Sequence, residues 1–232
     1  MEGKRKLFHR LFIYGLGIVI LALGITLNTK TGLGVSALVS IAYTVAGAWN
    51  LNFALMTFLL YTCFALIEVE LKWVLLPQFR KGLWKDLLQI PFSLAFSLLL
   101  NVFGGIIPAA EHVGVKIVML VLAIVFTGIG AAMIVDMHLI PNPADGLAQT
   151  LGMVTKKGMG FGKNLLDCSC VGISVLMGLV ARGRLIGIGI GTIAAMIGVG
   201  RVVALFNLCF ETELCKTAGV EKICMKHGEC VP

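Results

Sequence analysis

Five stretches of the chain, Leu11 to Thr29, Thr31 to Ile67, Leu87 to Ala110, Ile117 to Val135 and Leu185 to Gly200, contain no Lys, Arg, Asp or Glu. A helix that crosses a bilayer needs about 20 mostly apolar residues, because every backbone N–H and C=O must find its partner within the segment. The pattern predicts six such helices, at about 11–29, 53–71, 87–108, 116–135, 161–181 and 185–209. It leaves two shorter apolar segments, at 35–49 and 142–155. The opening Lys4-Arg5-Lys6 with Arg10 before an apolar run has the layout of a signal peptide. It continues into Leu27-Asn28-Thr29-Lys30 without a small-x-small cleavage site, so it reads as a retained first span.

The two short segments open on similar pentapeptides. Gly34-Val35-Ser36-Ala37-Leu38 lines up, 109 residues on, with Pro143-Ala144-Asp145-Gly146-Leu147. Each short segment is followed by a full-length apolar segment, a loop and another span. This order predicts two membrane repeats, 1–110 and 111–210, and a polar cytoplasmic tail at 211–232. If the short segments cross the membrane, each repeat has four spans and the halves run parallel. If they enter and return on one side, each repeat has three spans and the halves are inverted.

Composition fixes the environment. Apolar residues make up 58% of the 232 and charged residues 13%, about half the charge of soluble domains. Such a chain cannot cover a globule with polar surface, which excludes a soluble enzyme, a disordered chain and a nucleic-acid-binding module. The net charge of +7 comes from 19 basic and 12 acidic residues, and their placement decides between the topologies. With the N-terminus inside, the three-span reading puts 14 of the 19 basic residues on the cytoplasmic side, whereas the four-span reading puts 10 inside and 8 outside. The positive-inside rule favours the former. The basic bias also reverses between matching loops, as inverted repeats require. The expected fold class is therefore an all-α polytopic membrane protein of six transmembrane helices plus two short re-entrant or broken helices, in two inverted repeats. Both termini are expected in the cytoplasm, with the chain in the inner or plasma membrane.

Candidate chemistry lies where this pattern is broken. Non-helical backbone at membrane depth is tolerated only inside protein or along a cavity. Gly32-Leu33-Gly34 and Pro141-Asn142-Pro143 are two such breaks, each followed by a helix start that Ser36 or Asp145 can cap. Free N–H groups at a helix start attract anions. The bland alternative is a pair of interfacial helices that only pack. Asp167 and Arg201 fall inside spans at similar depth, where an unpaired charge costs about 2.5–3.5 kcal/mol. They are expected to pair with each other, as a proton or cation site with its counter-ion or as a static bridge. Asn101 sits in the third span at a place resembling that of Arg201 in the sixth. The substrate or ion-binding candidates are Ser36, Asn101, Asp145, Asp167 and Arg201. His138, beside Asp136 before the second break, could relay protons, although such a residue at a boundary is more often simply solvated. Glu68 and Glu70, beside Lys72, read as structural. Gly187, Gly189 and Gly191 lack the strand a dinucleotide fingerprint needs, and small residues at 187, 191 and 195 read as helix packing. Trp73 and Trp84 flank the basic loop at interfacial depth.

The seven cysteines predict no disulfide framework, and Cys215, Cys224 and Cys230 with His227 match no tight zinc spacing. Neither a metal nor a cofactor is expected. No nucleophile–base pair stands out, so an enzyme is disfavoured.

The segments Gly-Leu-Gly-Val-Ser-Ala-Leu from Gly32, Asn-Pro-Ala-Asp-Gly-Leu from Asn142 and Gly-Arg-Leu-Ile-Gly-Ile-Gly-Ile-Gly-Thr from Gly183 resemble the YczE/YyaS/YitT group of bacterial integral membrane proteins, across nearly the whole chain to about Phe210. The chain lacks the soluble C-terminal domain of the YitT branch and so resembles the YczE type more closely. The resemblance implies a multi-pass bacterial inner-membrane protein and supplies no site residues. Two functions follow. One is a secondary transporter or permease for a small solute, anions among the candidates, coupled to a proton or cation through Asp145 or Asp167. The other is a non-transporting accessory protein that binds a partner or lipid. Membrane lipids are expected partners and nucleic acid is not.

Overall fold

The computed structural model of the chain describes residues 2–218. Lys222, Cys224, Lys226, His227 and Cys230, weighed above for topology and metal binding, lie outside the described residues. All regular structure among the described residues is helical: α1 (Glu2–Thr31), α2 (Ala37–Trp49), α3 (Phe53–Leu75), α4 (Leu83–Leu87), α5 (Gln89–Ile106), α6 (Val113–Asp136), α7 (Pro143–Thr155), α8 (Gly158–Arg182) and α9 (Ile190–Ala218). Pro77–Gly82 forms a 3-10 turn before α4. Six segments are long and apolar enough to cross a membrane: Lys6–Thr31, Phe53–Leu75, Leu83–Ile106, Val113–Asp136, Gly158–Arg182 and Ile190–Ala218. The chain is thus a polytopic helical membrane protein, as its charge-free runs predict.

The centre of the molecule is the seam between α1 and α6, the most extensive helix pair. Two glycines make it. A Cβ on Gly24 would stand 2.5 Å from the Thr127 nitrogen, and one on Gly130 would stand 2.5 Å from the Leu21 nitrogen. Only hydrogen fits at either place, so the backbones touch, as small residues allow in lipid where dispersion drives association. The helices run antiparallel, since Gly17 meets Met133 and Gly24 meets Ala123.

The other contacts fix two faces. At the first lie Arg10 of α1, the α6 C-terminus, whose Met137 and His138 carbonyls accept from Arg10, and Glu68 and Lys72 of α3. The second holds Lys30, which donates to the Gly104 carbonyl at the end of α5, and Arg182 of α8, which donates to the Ala48 carbonyl of α2. Successive long segments alternate between these faces.

The short helices do not cross. Each is 13 residues long, about 20 Å at 1.5 Å per residue. Beyond Thr31 the chain turns back into the body, and Val35 donates to Gly187 while Gly191 donates to Leu33. From there α2 climbs back to the second face. Beyond Asp136 the chain likewise turns inward, and α7 returns to the first face, where Gly152 packs on Gly158. The caps match. Ser36 has φ −56° and ψ 139°, and Asn142 has φ −59° and ψ 136°; the closing residues Asn50 and Lys156 are both left-handed at φ 56°. The matched caps stand 106 residues apart, not the 109 of the similar pentapeptides. The similar pentapeptides align Leu38 with Leu147 rather than the helix starts.

Two smaller readings change. Cys215 is disulfide-bonded, which spacing could not reveal because pairing depends on distances that spacing does not set. Gly187 lies in the loop before α9 with φ +71°, so of the small residues at 187, 191 and 195 only Gly191 and Ala195 pack on the helix.

Candidate functional site

The starts of α2 and α7 open onto one cavity of about 30 Å³ at the α1–α6 seam. Its polar lining is Ser36, Tyr61, Thr127, Asn142, Asp145, Lys163 and Asp167. Three of the five sequence-predicted residues, Ser36, Asp145 and Asp167, are therefore brought together. The lining also repeats at the 106-residue spacing of the caps: Leu21 with Thr127, Ile25 with Ala131, Ser36 with Asn142 and Tyr61 with Asp167. Residues 106 apart in the chain thus line the same cavity.

Asp145 is the third residue of α7, where a carboxylate complements the helix dipole, and its Oδ1 lies 3.2 Å from Lys163 Nζ on α8. Asp167, one turn beyond Lys163, is 5% exposed and makes no hydrogen bond or ion pair among the described residues. Lys163 is the cation nearest to it. Tyr61 Oη and Asn142 Oδ1 are buried beside each other without a hydrogen bond of good geometry, and Ser36 makes no side-chain cap bond. The site therefore holds two carboxylates, one ammonium, two helix N-termini and several unused polar atoms. Chemically it can hold a small charged species and exchange a proton.

Two larger vestibules flank the cavity. One, of about 520 Å³, opens at the second face and is lined by Thr29, Lys30, Tyr43, Asn52, Phe53 and Asn101, among others. Another, of about 300 Å³, opens at the first face beside His138 and Gln149. Thr29, Tyr43 and Phe53 of the former stand 106 residues before Val135, Gln149 and Met159 of the latter. Asp145 lines both the central cavity and the first-face vestibule. At the corresponding place on α2 stands Val39, fully buried.

A family model described as a family of unknown function, DUF6198, matches residues 8–208. The chain belongs to this family. No curated protein and no solved structure matches it significantly. The match takes in every helix of this DUF6198 member from α1 into α9, and with them the whole cavity lining.

The two remaining sequence candidates lie elsewhere. Asn101 sits in the second-face vestibule, where its Oδ1 accepts from Asn52 Nδ2 at 3.0 Å. The cap spacing pairs it with Asn207 rather than Arg201. Arg201 is exposed on α9 and does not meet Asp167. Sequence depth placed them level, but depth carries no information about which side of a helix a residue occupies.

Sequence reasoning missed Lys163 and Tyr61. Lys163 follows Lys156 and Lys157 in the sequence and so reads as one more loop cation; α8 starts at Gly158, and Lys163 lies in its second turn, facing α7. Tyr61 was one aromatic within an apolar run.

A second charged network in this DUF6198 chain is built on the pairing of Glu68 with Lys72, in keeping with the structural reading of that acid. Glu68 is 1% exposed. Lys72 Nζ donates to Glu68 Oε1 at 2.6 Å and to Asp86 Oδ1 at 2.9 Å, Gln89 Nε2 donates to Glu68 Oε2 at 2.9 Å, and Thr150 Oγ1 of α7 lies 3.3 Å from Glu68 Oε1. The network ties the short helix α7 to α3, α4 and α5. Its counterpart on the other side is neutral: Ser174 Oγ donates to Ser40 Oγ at 2.8 Å.

Proposed function

We propose that the protein is a secondary transporter for a small solute, built from two inverted repeats, with its binding site where α2 and α7 begin. The observation that carries this reading is the convergence of two short-helix N-termini, one from each half, on a single buried cavity with vestibules toward opposite faces. Inverted-repeat transporters place substrate at such a meeting of broken helices near the midplane.

The repeat reading is supported by exchanges that a twofold axis would make. Gly24 approaches Thr127 as Gly130 approaches Leu21. Helix α2 packs on α8 of the other half, and α7 packs on α3. Basic residues orient the assembly: the first face carries Arg10, Lys72, Lys85, Lys156 and Lys157 and is the cytoplasmic one by the positive-inside rule. Asp145 and Asp167 are the coupling groups, because they are the carboxylates at the cavity and intramembrane acids mark ion or proton paths.

Comparison of metabolites in cells with and without the protein identifies the solute, and uptake into proteoliposomes then tests coupling. Asp145→Asn and Asp167→Asn should each reduce concentrative uptake at least tenfold. Full rescue of a deletion phenotype with unchanged flux in both variants contradicts the proposal.

A further inference from the structure

The cavity itself limits what it can hold. At about 30 Å³ it has room for about two or three water-sized groups, since one water needs ~10–15 Å³ by the same measure. A sugar, an amino acid or a nucleoside does not fit. The contents must also suit the lining. The first-turn N–H groups of α2 and α7 point to negative charge through the helix dipole. Tyr61 is fully buried at the cavity, and its hydroxyl, beside the Asn142 side chain, makes no hydrogen bond of good geometry, so its proton is available to a bound anion. The Ser36 hydroxyl, which makes no cap bond, lines the cavity as well.

The charge balance points the same way once Asp167 takes up a proton, since with both carboxylates ionised the charged side chains at the cavity sum to −1. Lys163 and Asp145 neutralise each other at 3.2 Å. The groups facing Asp167 are Lys163 and Cys170 on its own helix, Asp145 from α7 and Tyr61 from α3; Ser36 of α2 and the α1, α6 and α9 residues at the cavity carry no charge. With a proton on Asp167, the two helix ends contribute roughly one positive charge in total, and a monovalent anion cancels it. Access agrees too. Lys30 is the one charged residue lining the larger vestibule, so that entrance draws anions.

We infer that the cavity takes a small monovalent anion of at most about three non-hydrogen atoms, accompanied by a proton on Asp167. Anion and proton cross together, so the step moves no net charge. This rests on the transporter reading and names its substrate class.

The test uses the full chain in proteoliposomes with formate, nitrite and chloride as probes, against protein-free vesicles, and with glycerol and alanine as neutral and zwitterionic controls. An inward proton gradient should drive uptake of at least one of the three anions and not of the controls. Tyr61→Phe, which removes only the hydroxyl, should weaken that anion's half-saturation about tenfold in protein that elutes as the wild type does on size exclusion. In Asp167→Asn, anion exchange at equal pH on both sides should lose the wild-type decline toward alkaline pH. Uptake of a control without any anion leaves a transporter standing and overturns the anion assignment. No flux of any probe, together with full rescue of a deletion phenotype by Asp145→Asn and Asp167→Asn, overturns both.

Discussion

Lys163 and Arg201 show how residue-level chemistry separates in lipid. Lys163 reaches Asp145 from the second turn of α8, and its removal leaves two carboxylates, Asp145 and Asp167, buried without a cation. Uncompensated buried charge is among the larger single-residue penalties. Lys163→Met should therefore destabilise the protein by about 2 kcal/mol, whereas Arg201→Met on the exposed face of α9 should cost about 0.5 kcal/mol or less. Thermal unfolding in detergent measures both, and a larger loss for Arg201→Met contradicts this assignment of partners. Ser36, Asp145 and Asp167 were legible in the sequence because each interrupts an apolar pattern. Tyr61 was not, since its importance comes from lining the cavity beside Asn142 and Asp145, which only the helix azimuths bring to it.

Among the elements, the short helices carry the account, and the contact that best tests their packing is Gly146 of α7 against Glu68 of α3. A Cβ at Gly146 would stand 2.5 Å from Glu68 Oε2 and 3.0 Å from Gln89 Nε2. Gly146→Val should cost about 1–3 kcal/mol by overpacking. Combining it with Glu68→Ala, which makes room, should recover part of that loss, so the two changes should be coupled by more than about 0.5 kcal/mol in a double-mutant cycle. Strict additivity would mean that α7 does not seat on α3 here. The matched contact, Ser40 on Ser174, is an uncharged hydrogen bond, and Ser174→Ala should cost only about 1 kcal/mol. The existence and length of both short helices could be read from the hydrophobic pattern. Their register could not. Leu38 and Leu147 look equivalent in sequence, while the caps set Leu38 opposite Ala144.

At the scale of the whole molecule, the scarce charges sort into two groups. Among the described residues, most basic side chains gather at the face bearing Arg10. Glu68, Lys72, Asp86, Asp145, Lys163 and Asp167 lie inside, in two networks that each hold two carboxylates around one lysine. The six long segments were evident from charge-free runs alone, because a bilayer demands length and apolarity of every span. The pairing of α1 with α6 was not evident, since Gly24 and Gly130 look like any other membrane glycines until the helices touch. In the proposed transport cycle, one site between the short helices is reached from both faces in turn. The most direct measurement of this access is thiol labelling at Ser36→Cys in a chain whose seven native cysteines are replaced and whose transport is retained. The account predicts labelling by a membrane-impermeant reagent added to either face of oriented vesicles, slowed from both sides by the transported anion. Labelling from one face only, with no effect of the anion, would contradict it.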